Sequence, residues 1–427
     1  MKIAIVSDLH LGDSQCALVD KDTRKLTNLY DKFRDAVGTE NDFLVMAGDI
    51  LDFSVSKYKD TYECARTFFK QIKADGVANE VIYLPGNHDS NVWHTVEHQT
   101  NIINRMAPGK SVQDFRHSVP AILDDRMKDP WDKLTLHGVW PQEKGSGAKY
   151  GGLYLDQLVD GKPFFNVAHP NLYLVTNKGC TLVTHGHYFQ QYWTLTSWLA
   201  LKVARQDLNV GALDVSELVG INFPLVQLAC TGVGQSGPLS KVVDAVQKDV
   251  KKGDLKLVRK YLGNLKKVAD DYWDFEKFKG RFEFLNVKEK LSDKLLDFIE
   301  GVITEKVEKI AEEENCDARY NSTFCYEEGV QGRMGEFYRA SLVELDSIQG
   351  DAGIPAPERI IFGHTHIPGP WKNDEKEPIL PLEHTGGKVV GLLNCGGWLR
   401  DDKGVFTGAN VFSYDSASQD ILPKMVE

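Results

Sequence analysis

The stretch Met1-Lys2-Ile3-Ala4-Ile5-Val6-Ser7-Asp8-Leu9-His10-Leu11-Gly12-Asp13 decides how the rest of the chain is read. Ile3 to Val6 is short, apolar and rich in β-branched residues, which suits a buried strand. It breaks into Ser7-Asp8-Leu9-His10, an acid and an imidazole two positions apart. On an extended backbone Leu9 points one way, and Asp8 and His10 share the other side. That is the pattern of a strand delivering ligands at its carboxyl end. A single Asp-x-His pair is equally an ordinary loop, so its repetition carries the weight.

The same grammar recurs four more times. Phe43 to Ala47 ends in Gly48-Asp49-Ile50-Leu51-Asp52, and Val81 to Leu84 ends in Pro85-Gly86-Asn87-His88-Asp89. Cys180 to Thr184 leads into His185-Gly186-His187, and Arg359 to Phe362 into Gly363-His364-Thr365-His366. In an open α/β sheet the strand carboxyl ends line one edge, where ligands bind. Helical stripes link the first strands: Leu26, Leu29, Tyr30, Phe33 and Val37, then Tyr62, Ala65, Phe68, Phe69 and Ile72. Such β-α-β steps predict parallel pairing and an α/β core.

At 427 residues the chain can bury a large core, as one big domain or two ordinary ones. Its 42% hydrophobic and 26% charged residues are those of a soluble globular protein. A formal net charge of −11 argues against a nucleic-acid partner held by electrostatics. Seven scattered cysteines without a Cys-x-x-Cys read as reduced thiols and a cytoplasmic location. Only four apolar residues precede Ser7, so no signal-peptide core is read, and no window approaches the length of a transmembrane helix.

Val92 to Met106 reads as a helix, and Leu134 to His137 and Tyr173 to Thr176 as strands. His137 and His169 read as structural. His94 and His98, four apart on that helix, read as a metal pair or a substrate contact. Between the fourth and fifth junctions lies a long insertion. Gln190 to Arg205, Val242 to Tyr272 and Leu291 to Ile310 have helical apolar stripes. The domain reading is a core over 1–190 and 330–427, with a mainly helical insertion over 191–329. The insertion is read as a cap over the site, with Trp193 and Trp198 either facing substrate or packing. Glu336 to Ile348 returns as a helix, Val389 to Leu393 is a strand ending in Asn394-Cys395-Gly396-Gly397, and Val411 to Tyr414 closes the chain.

Gathered together, the ligand candidates are Asp8, His10, Asp49, Asn87, His185, His364 and His366. Three oxygen donors and four imidazoles exceed the needs of one ion and suit two divalent cations bridged by a carboxylate. A two-metal site clamps the attacking and leaving oxygens of an in-line displacement.

Asp8-x-His10, Gly48-Asp49-x-x-Asp52, Gly86-Asn87-His88-Asp89, His185-Gly186-His187 and Gly363-His364-x-His366 resemble the five motifs of the calcineurin-like metallophosphoesterases, in the family's order. The resemblance covers roughly 1–190 and 330–427. It implies an α/β fold of four layers: a β-sandwich of two mixed sheets flanked by helices, with the metal site at strand ends. That replaces the doubly wound sheet the local pattern suggests. It also implies roles. Asp8, His10, Asp49 and His366 would hold one metal. Asp49 would bridge to a second held by Asn87, His185 and His364. A water or hydroxide between the metals would attack phosphorus. His88 would stabilise the phosphoryl oxygens or protonate the leaving group, and Asp52 would fix the His88 tautomer. His187 stays open between supporting residue and ligand.

The implied activity is hydrolysis of a phosphomonoester or phosphodiester, with two divalent ions, manganese first and iron, zinc or cobalt next. Three alternatives stand beside it. The Gly48–Phe53 and His185–Phe189 stretches resemble the nucleotide-sugar and lipid-linked pyrophosphatase branch, although that branch carries Arg in place of His88. That reading suits a bulky or lipid-linked substrate. A nuclease shares the motifs, and net acidity counts against it. A non-catalytic scaffold would be expected to lose ligands, and here they are intact. Oligomeric state and substrate identity do not follow from the sequence.

Overall fold

Side-chain alternation along the first strand builds two cores. Ile3 and Ile5 bury with Val45, Ile82, Leu84, Leu172, Val183 and Ile361. Ala4 and Val6 bury with Leu44, Met46, Val81, Phe33, Phe68 and Trp93. The structure, a computed structural model, describes residues 1–129, 132–137, 152–162, 164–194, 214–235, 324–369, 371–372, 377–378, 381–384, 388–401 and 403–427. All of these fall within one compact unit.

The first half runs β1 (Lys2–Val6), α1 (Leu29–Val37), β2 (Asn41–Ala47), α2 (Tyr58–Ala74), β3 (Ala78–Leu84) and α3 (Ser90–Glu97). Then come β4 (Ala121–Asp124), β5 (Leu134–Leu136), β6 (Phe165–Val167), β7 (Asn171–Thr176) and β8 (Gly179–Thr184). Helices α4 (Val215–Gln235) and α5 (Glu328–Ile348) follow. The chain ends with β9 (Pro357–Phe362), β10 (Pro368–Gly369), a small ladder of β11 (Trp371–Lys372) with β12 (Glu377–Pro378), β13 (Pro381–His384), β14 (Lys388–Cys395), β15 (Ala409–Asp415) and β16 (Asp420–Val426).

One sheet has the order β16-β15-β1-β2-β3-β6, and the other runs β10-β14-β9-β8-β7-β4-β5 with β13 also on β14. Both are mixed. β1, β2, β3 and β6 are parallel, whereas β15 is antiparallel to β1. β8, β9 and β14 are parallel, whereas β7 is antiparallel to β8. The facing sheets enclose the first core. Helices α1, α2 and α3 cover the outer face of one sheet, through Leu29, Phe33, Phe69, Ile72 and Trp93. Helix α5 covers the other. The Tyr338 hydroxyl donates to the Pro357 carbonyl at 2.7 Å, and Asn171 Nδ2 donates to the buried Glu344 carboxylate at 2.8 Å.

This is the four-layer sandwich, not the doubly wound sheet of the local pattern. The difference is physical. β-α-β alternation specifies parallel neighbours within a sheet, but not that a second sheet covers the face opposite the helices. The 92–106 helix is also interrupted, by a π-helical turn over His98–Ile103. Helix α4 has no counterpart in the sequence reading. Val215–Gln235 is apolar nearly all round and contains Pro224, so it lacks the one-sided stripe that marks an amphipathic helix. Strand β4 has four residues, and β16 carries Pro423, which an edge strand tolerates. Of the helix read over 190–205, Gln191–Thr194 forms a 3-10 turn. The remainder with Trp198, and the helices read over 242–272 and 291–310, lie outside the described residues. Among the described residues no helix is long and apolar enough to cross a membrane.

Candidate metal centre

The parallel blocks of the two sheets point their carboxyl ends the same way, and the motif residues follow those ends. Asp8 and His10 leave β1, Asp49 leaves β2, and Asn87 leaves β3. His185 leaves β8, and His364 and His366 leave β9. The turns are held across the sandwich. Nδ1 of His185 lies 3.0 Å from the Ala47 carbonyl. The His364 N–H donates to both oxygens of Asp8, at 3.1 and 2.9 Å.

To aim at one point, these turns adopt backbone that L-residues avoid. Asp8, His10, Asp49, His364 and His366 have φ of 55°, 47°, 53°, 72° and 59°. They are five of the nine non-glycine residues with positive φ among the described residues, so the strain concentrates where the polar side chains converge. Glycine supplies the close approach. A Cβ at Gly363 would lie 2.0 Å from Asp8 Oδ2. At Gly48, where φ is +94°, a Cβ would lie 2.4 Å from the His185 ring.

Two buried groups result. Asp8, His10, Asp49 and His366 bring one donor atom each to within 4.8 Å of one another, and so do Asp49, His185 and His364. Asp49 belongs to both. Nε2 of His366 is 3.2 Å from Asp8 Oδ1 and 3.0 Å from Nε2 of His10. On the other side, Nε2 of His185 is 3.2 Å from Asp49 Oδ2 and 2.9 Å from Asn87 Oδ1. All seven residues inferred as ligands from the sequence are therefore brought together.

His88 and Asp52 stand beside this set. Asp52 Oδ2 is 2.8 Å from His10 Nδ1 and 3.0 Å from His88 Nδ1, so one oxygen serves two imidazoles. Its other oxygen accepts the N–H groups of Ser54 and Val55 at 3.0 and 2.9 Å. The His88 ring is 15% exposed, whereas Asp52 is fully buried.

The electrostatics call for positive charge. Burial alone would raise the Asp8 carboxyl, but hydrogen bonds from His10 and His366 hold it below the usual range. Burial likewise opposes ionisation of Asp49, and the charges of His185 and His88 overcome it. Asp52 is depressed against burial by the charge of His88 and the His10 hydrogen bond. The partner imidazoles move the other way. His185, against burial, is raised to about 9 by Asp49, and His10 is raised by Asp52 and Asp8. Burial and the charge of His185 push His364 down to about 3. Buried carboxylates ringed by imidazole nitrogens, with no thiolate among them, fit hard or borderline divalent cations.

Several contributors lay outside the sequence reading. Asp89 accepts the N–H of Gly86 at 2.6 Å and of Ile50 at 2.9 Å, tying the β2 and β3 turns together. Burial and the charge of Asp49 raise Asp89 to about 6. Asn394 donates to the Gly363 carbonyl at 3.0 Å and so shapes the His364 turn. Its place at a strand end was the available signal. Gln190 Oε1 lies 3.0 Å from His364 Nε2. His187 is buried beside His185 and His364, outside both donor groups, and among the described residues neither ring nitrogen has a hydrogen-bond partner. His94 and His98 are neighbours, with ring centroids 4.6 Å apart, and pack on Phe115. They join no group of three donors among the described residues. His169 is buried and stacks on Trp93. Helix α4 reaches the site: the Cys230 thiol donates to the His88 carbonyl at 3.1 Å.

A four-layer sandwich with two acidic and histidine-rich donor groups sharing one aspartate at its strand ends is consistent with a metallophosphoesterase fold. Residues 1–195 match the family model described as calcineurin-like phosphoesterase. No curated protein matches the chain.

Proposed function

We propose that the protein is a metal-dependent phosphoester hydrolase. Asp8, His10, Asp49 and His366 would hold one divalent ion, and Asp49, Asn87, His185 and His364 would hold the second. The observation that carries this reading is Asp49, shared by two buried donor groups. Two cations bound there supply charge neutralisation at phosphorus and an attacking water of lowered pKa. Manganese suits the mixture of carboxylate, amide and imidazole donors, with iron, zinc or cobalt as alternatives.

The chain's own residues supply the rest. Asp52 accepts the Nδ1–H of His10, so the lone pair at Nε2 faces Asp8 and Asp49. Asp52 also accepts the Nδ1–H of His88, shared with the Ser54 hydroxyl, and leaves Nε2 to carry a proton toward the leaving oxygen. A cationic His88 aimed at developing negative charge is electrostatic catalysis. His88 is the more open member of its group, as a residue that meets substrate must be.

The part of the insertion described beside the site would act as a cap. Its described helix α4 is apolar and touches the His88 turn, which favours a bulky or lipid-linked phosphoester, a pyrophosphate included, over a small one. The acidic net charge disfavours a nuclease, and the complete donor set disfavours a scaffold. Among the described residues six cysteines are buried free thiols, which suits a cytoplasmic location.

The test is hydrolysis of a chromogenic phosphomonoester and of its diester analogue after chelation and manganese add-back. Turnover should require manganese and vanish in Asp49→Asn. His88→Ala should keep both ions and lose turnover by about 10²–10⁴-fold. Loss of the ions from a folded His88→Ala protein would refute these roles.

A further inference from the structure

We infer that Gln190 is a positioning residue for the second ion, acting through the tautomer of His364. The inference rests on the dinuclear reading above and adds a residue outside all five motifs.

The argument starts from a donor with no alternative. The Trp193 indole Nε1–H can only donate, and it lies 3.1 Å from Gln190 Oε1. That contact settles which end of the amide is oxygen, since the reversed amide would set two donors against each other. The same Oε1 lies 3.0 Å from Nε2 of His364. An oxygen that only accepts obliges Nε2 to carry the hydrogen. The neutral ring then has its one lone pair at Nδ1, and Nδ1 is the atom left to join Asp49 and His185. Gln190 is 2% exposed, so water does not compete for this contact.

The backbone secures the arrangement. The Gln190 N–H donates to the His187 carbonyl at 3.1 Å, and the Trp193 N–H donates to the Gln190 carbonyl at 3.2 Å. The Gln191–Thr194 turn thus places the indole and the amide together. A partner that fixes the tautomer of a ligating histidine changes metal affinity by about 10–100-fold. His10, one of the first ion's two histidines, obtains the same service from Asp52, within a motif. His364 obtains it from the residue just before the insertion.

The experiment is manganese titration of the full chain by calorimetry. The exchange-coupled electron paramagnetic resonance signal of a manganese pair provides a second readout. Gln190→Leu should bind the first ion as wild type, weaken the second by about 10–100-fold, and lose the coupled signal at equimolar loading. Gln190→Glu keeps an acceptor and should bind both ions at least as tightly as wild type. Trp193→Phe frees the amide to reverse and should show the same loss in smaller degree. Two wild-type affinities in a folded Gln190→Leu protein would overturn the inference alone. So would equal losses in the Leu and Glu variants, which would mean packing and not proton placement. If the Leu variant does not fold, the Glu and Phe variants decide: tight binding in the first with a loss in the second supports the inference, and any other pair overturns it. A wild-type stoichiometry below two would overturn the dinuclear reading, and the inference with it.

Discussion

Asp52→Asn exchanges one carboxylate oxygen for an amide nitrogen between two imidazoles. Which end becomes nitrogen is dictated by the backbone. The N–H groups of Ser54 and Val55, at 3.0 and 2.9 Å, require an acceptor, so the retained oxygen stays there. The NH₂ then faces Nδ1 of His10 and Nδ1 of His88, now 2.8 and 3.0 Å from Oδ2. Both rings must accept at Nδ1 and carry hydrogen at Nε2. For His10 that hydrogen points at the first ion's position, and for His88 the ring loses its carboxylate acceptor at Nδ1. Each lost charge-assisted hydrogen bond contributes about 1.5–3 kcal/mol. First-ion affinity should fall by about 10–100-fold, and turnover by more, because both histidines are changed. Asp52→Ala imposes no tautomer, so it should weaken the first ion less than Asn does, although it strips an acceptor from two backbone donors. Calorimetric titration with manganese, alongside nitrogen-15 spectra of the two rings, reads both effects. First-ion binding in the Asn variant as tight as in Ala, or unchanged ring tautomers, would refute the reasoning.

Two more outcomes follow from the same geometry. Gly363→Ala sets a methyl group 2.0 Å from Asp8 Oδ2, so the turn must move. The chelated protein should lose about 1–3 kcal/mol in urea unfolding, and a wild-type midpoint would show that the close approach is not required. The chelated protein should also lose stability as pH rises. His185, raised to about 9 from 6.5, contributes stability that is complete below 6.5 and gone above about 9. The loss is on the order of 3 kcal/mol and is read as a lower melting temperature at pH 9.5 than at pH 6. Asp8, Asp49 and Asp52 act at the other end, contributing stability above about pH 4 that fades as pH falls through their depressed values. A melting temperature in chelator that is flat from pH 6 to 9.5 would contradict the imidazolium–carboxylate account.

Much of this site is written locally. A strand that ends in Asp8-x-His10 or Gly363-His364-x-His366 announces itself, because buried strands need apolar runs and tight turns need glycine. Those short-range rules singled out all seven candidate ligands, whereas the roles read for His88 and Asp52 came from the family resemblance. The same rules marked the carboxyl ends of β1, β2, β3, β8 and β9 and came within three residues of their starts, because their apolar runs are continuous.

The rest depends on which surfaces meet. Residues 3 and 5 of β1 look like residues 4 and 6, and only the packed sandwich decides that one pair faces a second sheet and the other faces helices. Helix α4 was invisible because a helix with apolar residues on nearly every side carries no stripe. Gln190 and Asn394 reach His364 Nε2 and the Gly363 carbonyl from 174 and 31 positions away along the chain. The sequence by itself determined which donors exist and which strands carry them, because those depend on neighbours along the chain. Only the tertiary structure decided which nitrogen of each imidazole is free and which carboxylate is shared, because a hydrogen bond spans about 3 Å of space irrespective of separation along the chain.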